Sequence, residues 1–395
     1  TYCPCCERGQ RDGEVILDNV PQITDVNVLL EILTSLGVKV QWLSPEVIKI
    51  ISPNHLTGYP SYDLVKKLRA SNLLLGPMLS RYGEAQLSLP GGCNIGNRPM
   101  DLHYKGLQGL GAVLELDKGD IRGWVPGGRL TGARIYLDFP SVGATENLMM
   151  AAALAKGQTV LENVAKEPEI VDLANFLNRL GSKVRGAGTD VIKIQGCEKL
   201  EGCSRYTVIP DRIEAGTFMI AAAATGGEVL IENIICTHVE PLSAKLREAN
   251  AFIEEGGDYI LVRADRPLKA IDVKTMPYPG FPTDLQSQVM AMLVTVNGTS
   301  VITENIFENR FQLVDELKRM GAKIKVEGRI AIVEGVNSLQ GTQVRATDLR
   351  AGAALVVAAL KAKGTTEIFH PEYIYRGYDH LENKFRVLGA NITNQ

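Results

Sequence analysis

A helix-like segment that closes on Leu-Gly and runs straight into an alternating strand recurs six times along this chain, and no simple fold accommodates that pattern. The copies are Leu33-Thr-Ser-Leu-Gly37, Leu107-Gln-Gly-Leu-Gly111, Leu177-Asn-Arg-Leu-Gly181, Leu246-Arg-Glu-Ala-Asn250, Leu317-Lys-Arg-Met-Gly321 and Phe385-Arg-Val-Leu-Gly389. From one closing Gly to the next the step is 68 to 74 residues. A fixed period of this length marks a chain assembled from one supersecondary unit. The Gly stands where the backbone leaves a helix through the left-handed region, and Asn250 is the residue that best tolerates that conformation in its place. Left-handed backbone is therefore expected at all six positions.

The second half of the unit repeats as well. An Ala-rich run, a Gly and a strand ending at Glu-Asn appear in Ala151–Gly157 with Glu162-Asn163, and in Ala221–Gly226 with Glu232-Asn233. Val294–Gly298 leads likewise to Glu304-Asn305, and Ala358–Gly364 leads to Ile368. Small residues recurring at one phase point to helices packed closely on one another. Each unit reads helix, strand, helix, strand pair, which places the chain in the mixed α/β (α+β) class. The first unit departs from the rule. Asp12-Gly-Glu-Val-Ile-Leu-Asp-Asn19 is the familiar strand, but Thr1-Tyr-Cys-Pro-Cys-Cys-Glu-Arg-Gly-Gln10 stands before it in place of the Ala-rich helix. Pro4 and Gly9 disfavour a helix there. Cys3, Cys5 and Cys6 match no zinc spacing, so no metal site is expected. The segment reads as a truncated or misread start.

Charge is nearly balanced, with 42 basic and 45 acidic residues, which speaks against a nucleic-acid partner. Seven cysteines, four of them dispersed, form no disulfide framework and fit a reducing compartment. No apolar run reaches the length of a membrane span. The reading is a soluble cytoplasmic protein with no membrane partner.

The densest stretch of chemistry is Gln86-Leu-Ser-Leu-Pro-Gly-Gly-Cys93-Asn-Ile-Gly-Asn-Arg98-Pro-Met-Asp101-Leu-His103. Cys93 lies in a glycine-rich loop five residues from Arg98, and a nearby guanidinium favours the reactive thiolate. Taken by residue type alone, an unreactive loop cysteine is the commoner outcome. The whole stretch resembles the catalytic loop of the UDP-N-acetylglucosamine 1-carboxyvinyltransferases, a family of enolpyruvyl transferases, and the likeness continues in order through most of the chain.

That resemblance implies an inside-out α/β barrel fold: two pseudo-symmetric domains built from six repeated units, the first unit incomplete, with boundaries 1–209 and 210–395. It implies transfer of the enolpyruvyl group of phosphoenolpyruvate to the 3-hydroxyl of UDP-N-acetylglucosamine, the first committed step of peptidoglycan synthesis, without cofactor or metal. Cys93 would be proton donor and site of a reversible adduct. Asp284, in Gly280-Phe-Pro-Thr-Asp284, would be the base, while by residue type it also suits a helix N-cap, as do Asp211 and Asp348 at matching repeat positions. Arg98 and Arg376 would hold the phosphoenolpyruvate anion, with Arg69 and Arg350 as further cations. The nucleotide sugar would lie against Arg98, Pro99, Met100, Asp101 and Leu102, against Ser141, Val142 and Gly143, and against Ile306. Phe139 stands where the family often has a Lys. The family's N-terminal strand and its Lys-Asn pair have no counterpart in residues 1–395, so this stretch alone is expected to turn over slowly or not at all. Two rival readings are a catalytically dead nucleotide-sugar binder and the sister shikimate-3-phosphate enolpyruvyl transferase. The Pro-Gly-Gly-Cys and Arg-Pro-x-Asp-Leu-His segments speak against the sister enzyme.

Overall fold

The backbone does turn left-handed at each of the six marks. Gly37, Gly111, Gly181, Gly321 and Gly389 have φ between 90° and 97°, and Asn250 has φ 76°. In this computed structural model residues 13–89, 95–96 and 100–394 are described. The chain divides into two compact units, one ending at Ile209 and the other starting at Pro210, with Ile95 and Gly96 counted in the second.

In the first unit three sheets surround two buried helices, Leu75–Tyr82 and Val142–Ala152. Alternating strands such as Gln158–Glu162 turn one face inward, burying Thr159 and Leu161. The outer helix Pro168–Arg179 buries Ile170, Leu173, Ala174 and Leu177, the stripe expected of an amphipathic helix. The two inner helices touch through Gly76, where a Cβ would collide with Asn147. The last strand, Cys203–Thr207, returns to lie parallel to the first, Gly13–Asp18, and Val15 sits opposite Cys203.

The second unit has three inner helices, Arg212–Thr225, Gln286–Leu293 and Leu349–Ala359. They carry Ala221–Ala224, Val289–Leu293 and Ala351–Ala358, and of the runs that the repeat marked out, Ala221–Gly226 lies mostly within its helix while Val294 and Ala358 stand at the ends of theirs. Nearly all of these side chains are buried. Sheets of three, four and two strands lie around them. Asp211 and Asp348 cap their helices, each accepting two backbone N–H bonds on Oδ1. Helices inside and sheets outside make each unit an inside-out α/β arrangement. After Gly389 no strand follows among the described residues.

Candidate active site

The second unit gathers its polar residues around Asp284. This residue sits in the 3-10 turn Thr283–Leu285, which leads into the Gln286–Leu293 helix. The sequence suited it to an N-cap, yet neither the turn nor the helix has a side-chain cap. Its Oδ1 instead accepts from Arg310 Nη2 at 3.0 Å and Arg350 Nε at 3.4 Å. Hydrogen bonds between two charged groups outweigh those to neutral amides, so the guanidiniums claim the carboxylate. Exposure is graded across this cluster. The Arg310 side chain is 2 % exposed and that of Arg350 16 %, while Asp284 is 41 % exposed. A buried Arg310 and a part-buried Arg350 thus stand behind a carboxylate that is open to solvent, and opposite charges this close favour an ionised carboxylate.

Glu304 fixes the surroundings. It is 1 % exposed and accepts from Ile306 N at 2.8 Å, Phe307 N at 3.1 Å and Thr283 Oγ1 at 3.0 Å. One carboxylate therefore ties the Ile306 turn to the residue beside Asp284. Arg350 follows the Asp348 cap at the start of the Leu349–Ala359 helix. Arg376, half-buried, ends the 3-10 turn Pro371–Arg376. That turn is pressed on the same helix at two glycines, because a Cβ on Gly352 would collide with Ile374 and one on Gly377 with Leu349. Burial alone would depress the Arg350 guanidinium, but the charges of Asp284 and Asp211 and the hydrogen bond to Tyr378 outweigh it and hold its pKa above the usual arginine value.

Cys93, Arg98 and Pro99 lie outside the described residues. Within the same loop, Ile95 is buried and its carbonyl accepts from Asn309 N at 3.0 Å. Gly96 has φ 146°, and a side chain there would collide with Glu308.

The first unit forms a separate cluster. Arg69 opens the 3-10 turn Arg69–Leu74, with Nη2 3.4 Å from Met100 Sδ. Asp101 begins the Asp101–Gly109 helix and is exposed, and Leu102 is half-buried. Ser141 caps the Val142–Ala152 helix, its Oγ accepting from Ala144 N at 3.3 Å. His103, buried, joins these groups. Its Nδ1 is 3.1 Å from Asn72 Nδ2 and 3.0 Å from Asn147 Nδ2. Asn147 Oδ1 accepts from Gly76 N at 2.7 Å, which makes its Nδ2 the donor end. Nδ1 of the histidine must then accept, and the ring proton sits on Nε2. The Cε1–Nε2 edge lies against Gly143, 3.3 and 3.5 Å from where a Cβ would stand. The Arg69–Leu74 turn, the Asp101–Gly109 helix and the Val142–Ala152 helix are thus linked through one neutral imidazole. The sequence reading placed His103 in its motif without assigning it to the site. It also passed over Arg310, Glu304, Asn72 and Asn147. Polar residues such as Asn147 inside an apolar helical run were the available signal.

Burial, with Arg69 adding to it, pushes the His103 pKa down to about 4. The unfolded chain takes up this proton below about 6.5 and the folded chain only below about 4, so stability is full above that window and falls as pH drops through it. Glu146 acts with the opposite sign. Burial pushes it up to about 7, so its contribution is lost as pH rises. Comparison with His103→Gln cancels the Glu146 contribution. Between pH 7 and pH 5 the parent is expected to lose about 2 kcal/mol more unfolding free energy than the variant. Equal losses in denaturant titrations at the two pH values would refute the buried neutral imidazole.

Among the described residues no group of His, Cys, Asp and Glu is placed to hold a metal ion. No described helix is long and apolar enough to cross a membrane. The family model for EPSP synthase (3-phosphoshikimate 1-carboxyvinyltransferase) matches residues 11–385. A UDP-N-acetylglucosamine 1-carboxyvinyltransferase of Carboxydothermus hydrogenoformans is 58 % identical over 382 residues, 96 % of this chain and 90 % of that protein. This chain belongs to the UDP-N-acetylglucosamine 1-carboxyvinyltransferases. Its place among these transferases is repeated in a relative from Caldanaerobacter subterraneus subsp. tengcongensis, 55 % identical over 96 % of this chain and 90 % of its own length. The enolpyruvyl transferase NikO from Streptomyces tendae superposes with a TM-score of 0.86 at 25 % identity, covering 96 % of this chain and 90 % of its own. EPSP synthase from Acinetobacter baumannii has a TM-score of 0.70 at 21 % identity over 93 % of this chain and 88 % of its own, a likeness of fold.

Proposed function

We propose that this UDP-N-acetylglucosamine 1-carboxyvinyltransferase moves the enolpyruvyl group of phosphoenolpyruvate to the 3-hydroxyl of UDP-N-acetylglucosamine, in the cytoplasm and toward peptidoglycan. The observation that carries this reading is Asp284, an open carboxylate backed by the buried Arg310 and the part-buried Arg350 beside the Ile306 turn. Ionised and within reach of solvent, it can accept the proton of a substrate hydroxyl. The sugar oxygen then attacks C2 of phosphoenolpyruvate while Cys93 delivers a proton to C3, giving a tetrahedral adduct. Loss of that C3 proton and of the phosphate ester oxygen bond releases inorganic phosphate and leaves the enol ether. Arg98, Arg350 and Arg376, with Arg69 as a further cation, supply fixed positive charge for the phosphate and carboxylate. Arg69, Pro99 to Leu102, Ser141 to Gly143 and Ile306 bind the nucleotide sugar, and the amides of the Val142–Ala152 helix start suit its diphosphate. No step needs a metal or organic cofactor.

The test is phosphate release from phosphoenolpyruvate with each of two acceptors. Release with UDP-N-acetylglucosamine is expected; release only with 3-phosphoshikimate would overturn the acceptor assignment. The thiol gives a second readout. An epoxide phosphonate such as fosfomycin is expected to label Cys93 in preference to Cys197 and Cys236. Burial pushes both of those thiols up, and Cys197 Sγ already donates to Ala153 O at 3.2 Å. Mass spectrometry placing the label mainly on Cys197, Cys203 or Cys236 would contradict the role of Cys93.

A further inference from the structure

The three inner helices of the second unit meet at one phenol. Tyr378 is 1 % exposed, and its Oη lies 2.8 Å from Thr217 Oγ1, 3.2 Å from Gln288 Nε2 and 3.3 Å from Arg350 Nη1. Thr217, Gln288 and Arg350 each stand on a different inner helix. With the Gln288 amide turned so that Nε2 faces both the phenol and, at 3.3 Å, Thr217 Oγ1, counting protons gives each bond a direction. Thr217 has one hydroxyl proton, and it goes to the Ile213 carbonyl at 2.8 Å. Its oxygen is therefore an acceptor, and the Tyr378 proton points to it. The phenol is left to accept from Gln288 and from Arg350. The guanidinium is planar and rigid, so fixing Nη1 at the phenol sets the direction of Nε, which faces Asp284 Oδ1. The ring adds to this hold, with the guanidinium carbon 5.7 Å from its centroid.

We propose that Tyr378 is a positioning residue: its hydroxyl orients Arg350 and, through Arg350, holds Asp284 ready to take the substrate proton. The proposal rests on Asp284 being the base. Among the described residues, Arg350 and, on the same oxygen, Arg310 pair with that carboxylate; Glu304 anchors the neighbouring Thr283, and Asp211 acts on Arg350. Arg310 stays in place when the phenol is changed, so the effect of losing it is partial.

The experiment uses the full chain with 13C-labelled aspartate carboxyls, the Asp284 signal being assigned by its loss in Asp284→Asn. In Tyr378→Phe the ring still fills the core, but Arg350 loses its acceptor. The Asp284 titration midpoint is expected to rise by about one unit as one cation loses its fixed place. The acid limb of turnover should move with it, while KM for UDP-N-acetylglucosamine stays within about twofold. Thr217→Val, which frees the phenol proton, is expected to shift the midpoint in the same direction, and Thr217→Ser to restore it. A packing role alone would lower the unfolding temperature and leave the midpoint where it is. That result in Tyr378→Phe, or in Thr217→Val should the first variant not fold, overturns the proposal. Failure of the underlying reading looks different: Asp284→Asn turning over at the parent rate removes the base assignment, whereas an inactive Asp284→Asn with an unmoved midpoint in Tyr378→Phe removes only the role of Tyr378.

Discussion

In an enzyme that carries the family's N-terminal strand and Lys-Asn pair, Asp284→Asn is expected to lower turnover by about 10²–10⁴-fold, the contribution typical of a positioned general base. Binding of UDP-N-acetylglucosamine should survive. The new amide keeps an oxygen where Oδ1 now accepts from Arg310 and Arg350, so the turn and both guanidiniums have reason to stay in place. What the variant loses is the negative charge and the capacity to take a proton. Removing the charge beside the buried Arg310 costs stability too. Asp284 is 41 % exposed, and solvent screens it, so the loss is expected to be about 1 kcal/mol rather than the larger figure for a fully buried pair. Stopped-time phosphate assays and calorimetric binding of the nucleotide sugar separate the two effects. Turnover within tenfold of the parent would remove Asp284 from the base role, and lost binding with lost turnover would make it a binding residue.

The largest effect on stability is expected at Glu304. Truncation to Ala leaves the Ile306 and Phe307 amides and the Thr283 hydroxyl without their acceptor. An unsatisfied group costs about 1–3 kcal/mol, less where water can reach it, so the sum for three partly buried groups is about 3 kcal/mol. For a unit of this size that corresponds to roughly 6–12 °C in the unfolding midpoint. Glu304→Gln retains a carbonyl oxygen for the two amides and is expected to recover most of the loss. Calorimetry showing Glu304→Ala within about 1 kcal/mol of the parent would mean that water or a neighbour satisfies these groups as well as Glu304 does.

The architecture was legible because its signals are local and repeated. A left-handed residue after a helix needs Gly or Asn whatever surrounds it, and all six marks obey. The site was less legible because it lives where the repeat is broken. Asn19, Asn163 and Asn233 follow their strands with φ from 53° to 60°, and Asn305 does not join them. The preceding Glu differs as well: Glu232 is exposed and Glu162 pairs with Arg134, while Glu304 is turned inward. One dipeptide, Glu-Asn, thus reads alike in three units and folds differently in the one that carries Asp284. The cap assigned to Asp284 failed for a related reason. Asp211 and Asp348 turn Oδ1 to amides of their own helix starts, while Asp284 turns Oδ1 to Arg310, 26 residues away in sequence, and Arg350, 66 away. Partners at that distance leave no mark on local pattern. His103 shows the same blindness, since its two asparagines come from turns and helices 31 and 44 residues off.

The pairing of Gly13–Asp18 with Cys203–Thr207 carries a consequence for how the chain is made. Asn19 donates to the Val208 carbonyl across 189 residues. On a ribosome adding about 5–20 residues per second, the opening strand waits on the order of 10–40 seconds for that partner. Throughout this interval one edge of the first sheet has no neighbour, and the nascent unit exposes to chaperones and to other emerging chains the kind of strand edge that invites pairing. Synthesis of Cys203–Thr207 therefore covers the edge that the Gly13–Asp18 strand had left open.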